Sequence, residues 1–548
     1  MPDHRPPTFA ELFTPKLVTV LREGYDRRAF QADIIAGLTV AIVALPLSMA
    51  IAVACGLSPE RGLYAAVIGG FIVSAMGGSR FQIGGPAGAF IILIAAAFMR
   101  HGLDGLMLAI ALSGLILVMA GLLRFGTYVK YVPFPVTVGF TAGIGLIILA
   151  SQIRPALGLV LDGPEPGPLI EKLPELWRAV PSHSPEAFAI AAGCVIVILA
   201  MRRWLPKWPG MLVAIILASA AVFLFRLPVE TVGSVFGDLP RGLPLPQLPD
   251  LSWARIVAVL PDALAFSLLG AIESLLSASV ADGMTGRRHR SNCELVAQGT
   301  ANIASALFGG LPVTGTIART ATNVRAGARG PIAGMVHSVL LLVFLLAAGP
   351  LLAHIPLAAL AGVLIVIGWT MIEHRAIAIL VRTSPGDLAV FAVTLGLTVF
   401  RDLAEAIIAG FALGAILFIR RMSEATSVTG GQPLTGTDAA DRVERYDPGE
   451  AGDGETVVYR VTGALFFGAA ASVGAVLDRI AERKARLVLD LSGVSFIDST
   501  GAHMLAGLAE RAARRGRVLT LRGATPAMQN VLAGYGVRAP VVEFEPNT

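Results

Sequence analysis

Apolar residues run along this chain in blocks of about twenty, the length that a membrane-crossing helix needs, as far as Arg421. Beyond that point the blocks shorten to strand length and alternate with amphipathic stretches. The uninterrupted blocks predict helices from Asp33 to Ala54, Leu63 to Met76 and Leu103 to Leu123, then near 134–152, 185–201 and 209–225. Further helices are predicted from Ile256 to Val280 and Leu295 to Leu307, and near 332–348, 356–372, 386–400 and 403–419. Pro46 lies inside the first block, where it removes a backbone hydrogen bond and calls for a neighbour or cavity to satisfy the freed carbonyl.

Two further blocks are interrupted. Gly84-Gly-Pro-Ala-Gly-Ala-Phe90 precedes the apolar run Ile91 to Phe98, and Gly309-Gly-Leu-Pro-Val-Thr-Gly-Thr-Ile-Ala-Arg319 opens a helix-length run to Arg329. Both read as helices that start in mid-membrane, which brings the total to about fourteen spans, each roughly the length that a bilayer needs. Irregular backbone at that depth survives only where it lines a cavity. Each helix start carries free N–H groups and roughly half a positive elementary charge, so it attracts anions. Small residues also serve ordinary helix packing, but two broken segments at corresponding places in two halves point to a secondary transporter's binding site. The halves echo one another in spacing as well: Pro46 stands before Pro86 much as Glu273 stands before Pro312. An odd number of spans per half would invert one copy relative to the other.

Composition agrees with a membrane protein. Residues are 55% hydrophobic and 15% charged, against about 25% charged in a soluble chain. The net charge of +5 is no nucleic-acid signal, because the basic residues cluster in short loops. Arg124, Lys130, Arg202, Arg203, Lys207, Arg287, Arg288, Arg290, Arg325, Arg329, Arg375, Arg382, Arg420 and Arg421 fall on one side, which the positive-inside rule assigns to the cytoplasm. Glu60, Asp104, Asp162, Glu165, Glu171, Glu175, Glu230 and Asp238 fall on the other. An even span count then places both termini inside an inner (cytoplasmic) membrane. Residues 1–32 read as a cytoplasmic leader without a cleavable signal. Cys55, Cys194 and Cys293 are scattered and show neither metal spacing nor a disulfide framework, and His101, His183, His289, His337, His354, His374 and His503 form no ligand cluster. No metal or cofactor is expected, and no enzymatic chemistry.

After the transmembrane part, 33–421, residues 422–455 are rich in Gly, Thr, Asp and Glu and read as a linker. Residues 456–548 predict a small α/β domain. Its strands are Thr456 to Val461, Leu487 to Leu491 and Val518 to Leu521, and its helices lie near 469–484, from Ser499 to Arg515 and from Pro526 to Tyr535.

The motifs Gly56-Leu-Ser-Pro-Glu-Arg-Gly-Leu-Tyr64, Gly77-Gly-Ser-Arg80, Gly84-Gly-Pro86, Arg288-His-Arg-Ser-Asn-Cys-Glu294 and the 309–329 stretch, in this order, resemble the SulP sulfate permease family over nearly the whole chain. That family includes the animal anion exchangers and prestin. The tail resembles a STAS domain through Leu489-Asp-Leu-Ser-Gly493 and Phe496-Ile-Asp-Ser-Thr-Gly501. The resemblance implies a seven-plus-seven inverted repeat with a core domain sliding against a gate domain, an all-α membrane part carrying an α/β STAS domain, and a homodimer. It also implies that substrate sits between the half-helix starts of spans three and ten. Two positions depart from relatives. Leu47 stands where many carry Gln. Ala87 and Glu273 stand where cyanobacterial bicarbonate transporters have Thr and Asp, which weakens a sodium-site reading.

The candidate site follows. Ala87, Gly88, Thr316, Ile317 and Ala318 would present backbone N–H groups, Thr314 a hydroxyl, and Arg319, about one turn into its half-helix, a charge that balances the anion or an unoccupied site's Glu273. Ile51 matches a pocket position of some relatives or is plain packing. Glu273 lies midway along an apolar span, where a charge costs roughly 2.5–3.5 kcal/mol and usually works. It is expected to carry a coupling proton, with Ser277 beside it, or else to be a structural carboxyl bonded to Ser277, Ser274 or a backbone group. Asp498 and Ser499 match a regulatory loop of STAS relatives, although a Ser at a helix start also serves as an N-cap. The leading expectation is a proton-coupled anion symporter for sulfate, bicarbonate or a dicarboxylate. The alternatives are a sodium-coupled bicarbonate symporter, an uncoupled anion uniporter or channel, and a signalling protein with the STAS domain as output.

Overall fold

The computed structural model describes residues 8–129, 133–161, 163, 166, 169–205, 208–237, 240, 242–383, 385–401, 403–424, 427–429, 456–466, 486–514, 518–538 and 542–545. The helix expected at 469–484, most of the expected linker, and Lys130, Asp162, Glu165, Lys207 and Asp238 lie outside them.

Each apolar block forms a helix. The first, α1, spans Arg27–Ala54 and starts six residues before the apolar run begins, because Asp26 caps it by accepting from the Ala29 N–H. Helix α2 (Glu60–Tyr64) passes through a π turn (Ala65–Gly69) into α3 (Gly70–Met76). The short strand β1 (Gly84–Gly85) follows, and then a 3-10 turn (Gly88–Phe90) leading into α4 (Ile91–Leu122). Helix α4 is two helical segments that meet at a kink, where the third and fourth spans were expected to part. Its only non-helical residue is Gly102 at φ 67°, a backbone state open to glycine and closed to most side chains. The first half ends with α5 (Phe134–Ser151), α6 (Pro185–Trp204) and α7 (Gly210–Phe225).

The second half repeats this order. Helix α8 spans Trp253–Thr285 and α9 Ser291–Leu307. Strand β2 (Thr314–Gly315) precedes α10 (Ile317–Arg325), and α11 (Ile332–Leu352), α12 (Leu357–Met371), α13 (Pro385–Phe400) and α14 (Leu403–Glu424) complete it. Among the described residues, eight helices are long and apolar enough to cross a membrane.

The helices pack in two groups. In one, α4 lies against α8 and α9, while α11 lies against α1 and α3. The halves thus pair with their roles exchanged, as an inverted repeat requires. In the other, α5 packs against α13 and α12, and α6 against α7 and α12. Contact between the groups runs mainly through α1, which meets α7 and α12, and through α5 against the 3-10 turn. At the start of α11, buried Asp33 accepts from the Tyr25 hydroxyl at 2.6 Å and from the Arg329 and Gly330 N–H groups. A residue expected only to begin a span therefore ties the first helix to the second repeat.

The chain divides into two compact units after Phe411. The second unit carries a five-stranded sheet in the order β3 (Ser427–Thr429), β4 (Thr456–Leu465), β5 (Arg486–Ile497), β6 (Val518–Arg522), β7 (Val542–Glu545). Strand β3, inside the stretch expected as linker, pairs antiparallel with β4, and the other neighbours are parallel. Helices α15 (Ser499–Arg514) and α16 (Pro526–Gly534) belong to this unit, and Leu505, Leu508 and Leu532 fill its core with Leu489, Leu519 and Leu521.

Candidate anion site

The Gly/Pro breaks before the two half-helices do more than interrupt them. Strands β1 and β2 pair antiparallel, Gly84 with Gly315 and Gly85 with Thr314. This two-residue pairing draws together the start of the 3-10 turn that leads into α4, capped by Ala87, and the start of α10, capped by Thr316. Both caps have extended backbone and neither side chain takes a capping hydrogen bond. The early N–H groups of both half-helices therefore keep no side-chain cap, and their partial positive charges converge.

Exposure separates the sequence-predicted residues. Gly88, Thr316 and Ile317 are half-buried and Ala318 is exposed, so one side of the junction is open. Ala87 is buried, and Ile51 is fully buried within the apolar core. The Thr316 hydroxyl is buried and makes no hydrogen bond. Thr314 behaves differently from expectation. Its hydroxyl is shared with Ser274 Oγ at 2.8 Å and donates to the Gly270 carbonyl at 3.3 Å, so it fastens β2 to α8 rather than offering a free hydroxyl.

Arg319 is the third residue of α10, closer to the helix start than the expected full turn, and it is 1% exposed. Its Nη2 donates to Ser48 Oγ of α1 at 3.2 Å and to the Pro86 carbonyl at 3.1 Å. Nε and Nη1 have no partner. The guanidinium lies against Gly85, where an added Cβ would stand 2.0 Å from Nη1. A buried charge with donors to spare is costly unless it is paired.

Glu273 does not supply that pair. Among the described residues no contact ion pair joins it to Arg319, so any balance of the two charges acts across space, and its Oε2 is buried without a hydrogen bond. Ser277 does not bond to it either: its hydroxyl donates to Thr320 Oγ1 at 3.1 Å. Ser274 is engaged with Thr314, so neither serine holds Glu273 as a structural carboxyl.

Several residues behind the junction escaped the sequence reading. Thr320 Oγ1 also accepts from the Ile83 N–H, pinning β1 to α10. Glu294 is fully buried on α9, where Gln82 and Gln298 donate to Oε1 and the Ser79 N–H donates to Oε2. The Gln82 side chain fills the space that a Cβ on Gly315 would take. The signal available was a carboxylate and two amides on apolar segments. In the second unit, Asp498 rather than Ser499 caps α15, through Oδ1 to the Gly501 N–H at 2.8 Å, and Ser499 is exposed.

Residues 30–394 match the sulfate permease family and residues 450–547 the STAS domain. The chain is 38% identical over 519 residues to a putative sulfate transporter, YvdB, of Bacillus subtilis, covering 94% of this chain and 95% of that protein. It is 31% identical over 512 residues to the bicarbonate transporter BicA of Picosynechococcus, covering 91% and 89%. Its fold matches that of the murine Slc26a9 anion transporter in the inward-facing state with a TM-score of 0.83 at 18% identity, over all of this chain and 95% of that one. Taken with the paired half-helix starts, these matches make the chain a member of the sulfate permease family, with an anion-transporter fold and a C-terminal STAS domain.

Proposed function

We propose that this protein is a secondary active transporter that carries a small anion, of the sulfate, bicarbonate or dicarboxylate class, together with a proton. The observation that carries the reading is the β1–β2 pairing, which brings two uncapped half-helix starts together over a buried Arg319 with two free donor nitrogens. Relatives named for sulfate and for bicarbonate transport support the anion class. The anion would lie against Ala87, Gly88, Thr316, Ile317 and Ala318, with Arg319 behind it. The two helix ends together contribute roughly one positive charge and Arg319 another. An ionised Glu273 cancels about one of these, so protonating it favours the anion, and by linkage the anion favours the proton. Ala87 and Glu273, in place of a hydroxyl and a shorter carboxylate, argue against a sodium site.

The division of the helices into two groups supports a movement of the group that holds the junction against the other, in the manner of an elevator. The loop charge bias supports an inner-membrane protein with both termini and the STAS domain in the cytoplasm. Family membership supports a homodimer, which a mass measurement in nanodiscs tests: a monomer at every workable concentration excludes it. The deciding experiment is uptake of labelled sulfate, bicarbonate and succinate into proteoliposomes under imposed proton or sodium gradients. Wild type accumulates one of these anions when the proton gradient is imposed. Glu273→Gln mimics the protonated state, keeps anion binding and loses most of the response to the gradient. Full pH-driven accumulation in that variant would remove Glu273 from the coupling role.

A further inference from the structure

His337 is a titratable group that the transport reading leaves unused. It sits on α11, fully buried, and neither ring nitrogen has a hydrogen-bond partner. A neutral imidazole carries one N–H donor and one lone-pair acceptor, and each buried group left unpaired costs about 1–3 kcal/mol. A histidine kept for packing alone would be better replaced by an apolar residue of similar size.

Its neighbours on α11 reach the elements that line the anion site. The next residue, Ser338, donates to the Ala66 carbonyl on the π turn at 3.1 Å. The Cα of Ala66 lies 3.7 Å from where a Cβ on Gly85 would stand, and that same position is 2.0 Å from Arg319 Nη1. One turn before His337, Gly334 faces the Ser74 hydroxyl, which is also buried and unpartnered, and the side chain of Ile83, the residue before β1. No other titratable group lies on α11, and α3 and the π turn carry none. On the remaining packed elements, Asp33 of α1 is held by Tyr25, Arg329 and Gly330, while Arg61 of α2, beside Glu60 and Tyr64, donates to the Gly309 carbonyl.

We propose that His337 is a second proton-accepting group of this site: it takes a proton on its free ring nitrogen when an anion lies beside Arg319, and returns it to water when the anion leaves. The lone pair of the neutral ring accepts the proton from hydronium, giving an imidazolium with two N–H donors. Beside Arg319 alone, that second positive charge is repelled. With an anion present it is balanced. Anion and proton thus favour one another by linkage, separately from Glu273. This inference rests on the proton-coupled reading above.

The test uses the full chain in nanodiscs with sulfate as the probe, since sulfate does not change charge across the range in which imidazole titrates, about pH 5 to 8. Calorimetric titration in buffers of different ionisation enthalpy counts the protons taken up per sulfate bound. Wild type is expected to take up protons. Glu273→Gln, which leaves His337 untouched, keeps a residual uptake that declines as pH rises through the histidine range, and adding His337→Gln abolishes it. The Glu273→Gln measurement can overturn the inference even if replacing His337 unfolds the chain. Loss of all proton uptake in that variant overturns this inference and leaves the coupling reading intact. Uptake that persists in the double variant overturns it too, by placing the proton elsewhere. A wild type that binds sulfate without any proton uptake overturns both.

Discussion

The two half-helix starts share a backbone path and differ in almost everything else. The first, Gly84-Gly-Pro-Ala-Gly88, contributes no side chain larger than Pro86. The second contributes two threonines and Arg319. The repeats therefore divide the labour. One supplies room and N–H groups; the other supplies the charge that fills the room. Gly85 is where they meet, because its missing side chain is the space that the Arg319 guanidinium occupies. Symmetry of fold here produces asymmetry of chemistry, and the charged group of one repeat is read through the backbone of the other.

That division can be broken from either side. The largest effect is expected on the charged side. Arg319→Ala removes the guanidinium and its bonds to Ser48 and Pro86. Hydrogen bonds to charged groups are worth about 1.5–3 kcal/mol, so sulfate affinity should fall by about tenfold to a hundredfold. Arg319→Lys, which keeps the charge, should lose less. Near-wild-type binding in both variants would remove Arg319 from the site. Next comes the glycine side. Gly85→Ala should displace the guanidinium and weaken binding in the same direction by less. Combined with Arg319→Ala it should add nothing further, since the two act on one contact; additive losses would show that Gly85 serves some other purpose.

The smallest effects sharpen the second start itself. Thr314 and Thr316 are two residues apart, but only the Thr314 hydroxyl is bonded within the protein. Thr314→Val should lower thermal stability, removing the bond between the Thr314 and Ser274 hydroxyls at a cost of about 1–3 kcal/mol, with little change in KM for uptake. Thr316→Val should do the reverse, raising KM a few-fold at unchanged Tm. Equal effects of the two substitutions on KM would mean that both hydroxyls face the anion.

Much of this was legible in the chain. Apolar length fixes where helices lie, and each apolar block expected to span is helical. The Gly/Pro breaks announced both half-helices, and Arg319 stood out as a charge in an apolar setting. What the sequence did not disclose depends on partners far away along the chain. Ser48 is an ordinary small residue on a helix until Arg319 arrives. Gln82, Gln298 and Glu294 form one buried network across two repeats, and nothing in their spacing joins them. Asp33 looked like the polar edge of a span because its acceptors are used by the loop ahead of α11. The boundary expected between spans three and four falls at the Gly102 kink, because a single glycine at positive φ suffices for the break. His337 read only as one of several scattered histidines, because a lone histidine declares itself only by the absence of neighbours for its nitrogens.

The β1–β2 pairing also sets a schedule for biogenesis. Gly84 leaves the ribosome more than two hundred residues before its partner Gly315. At roughly 5–20 residues per second, the first half-helix waits tens of seconds with unpaired backbone at a depth where water is scarce. During that interval the β1 amides lack the strand that pairs with them in the folded chain, and an unpaired backbone group in lipid costs several kcal/mol. A truncated chain that ends before Thr314 lacks β2, so the first half-helix start never receives its partner strand.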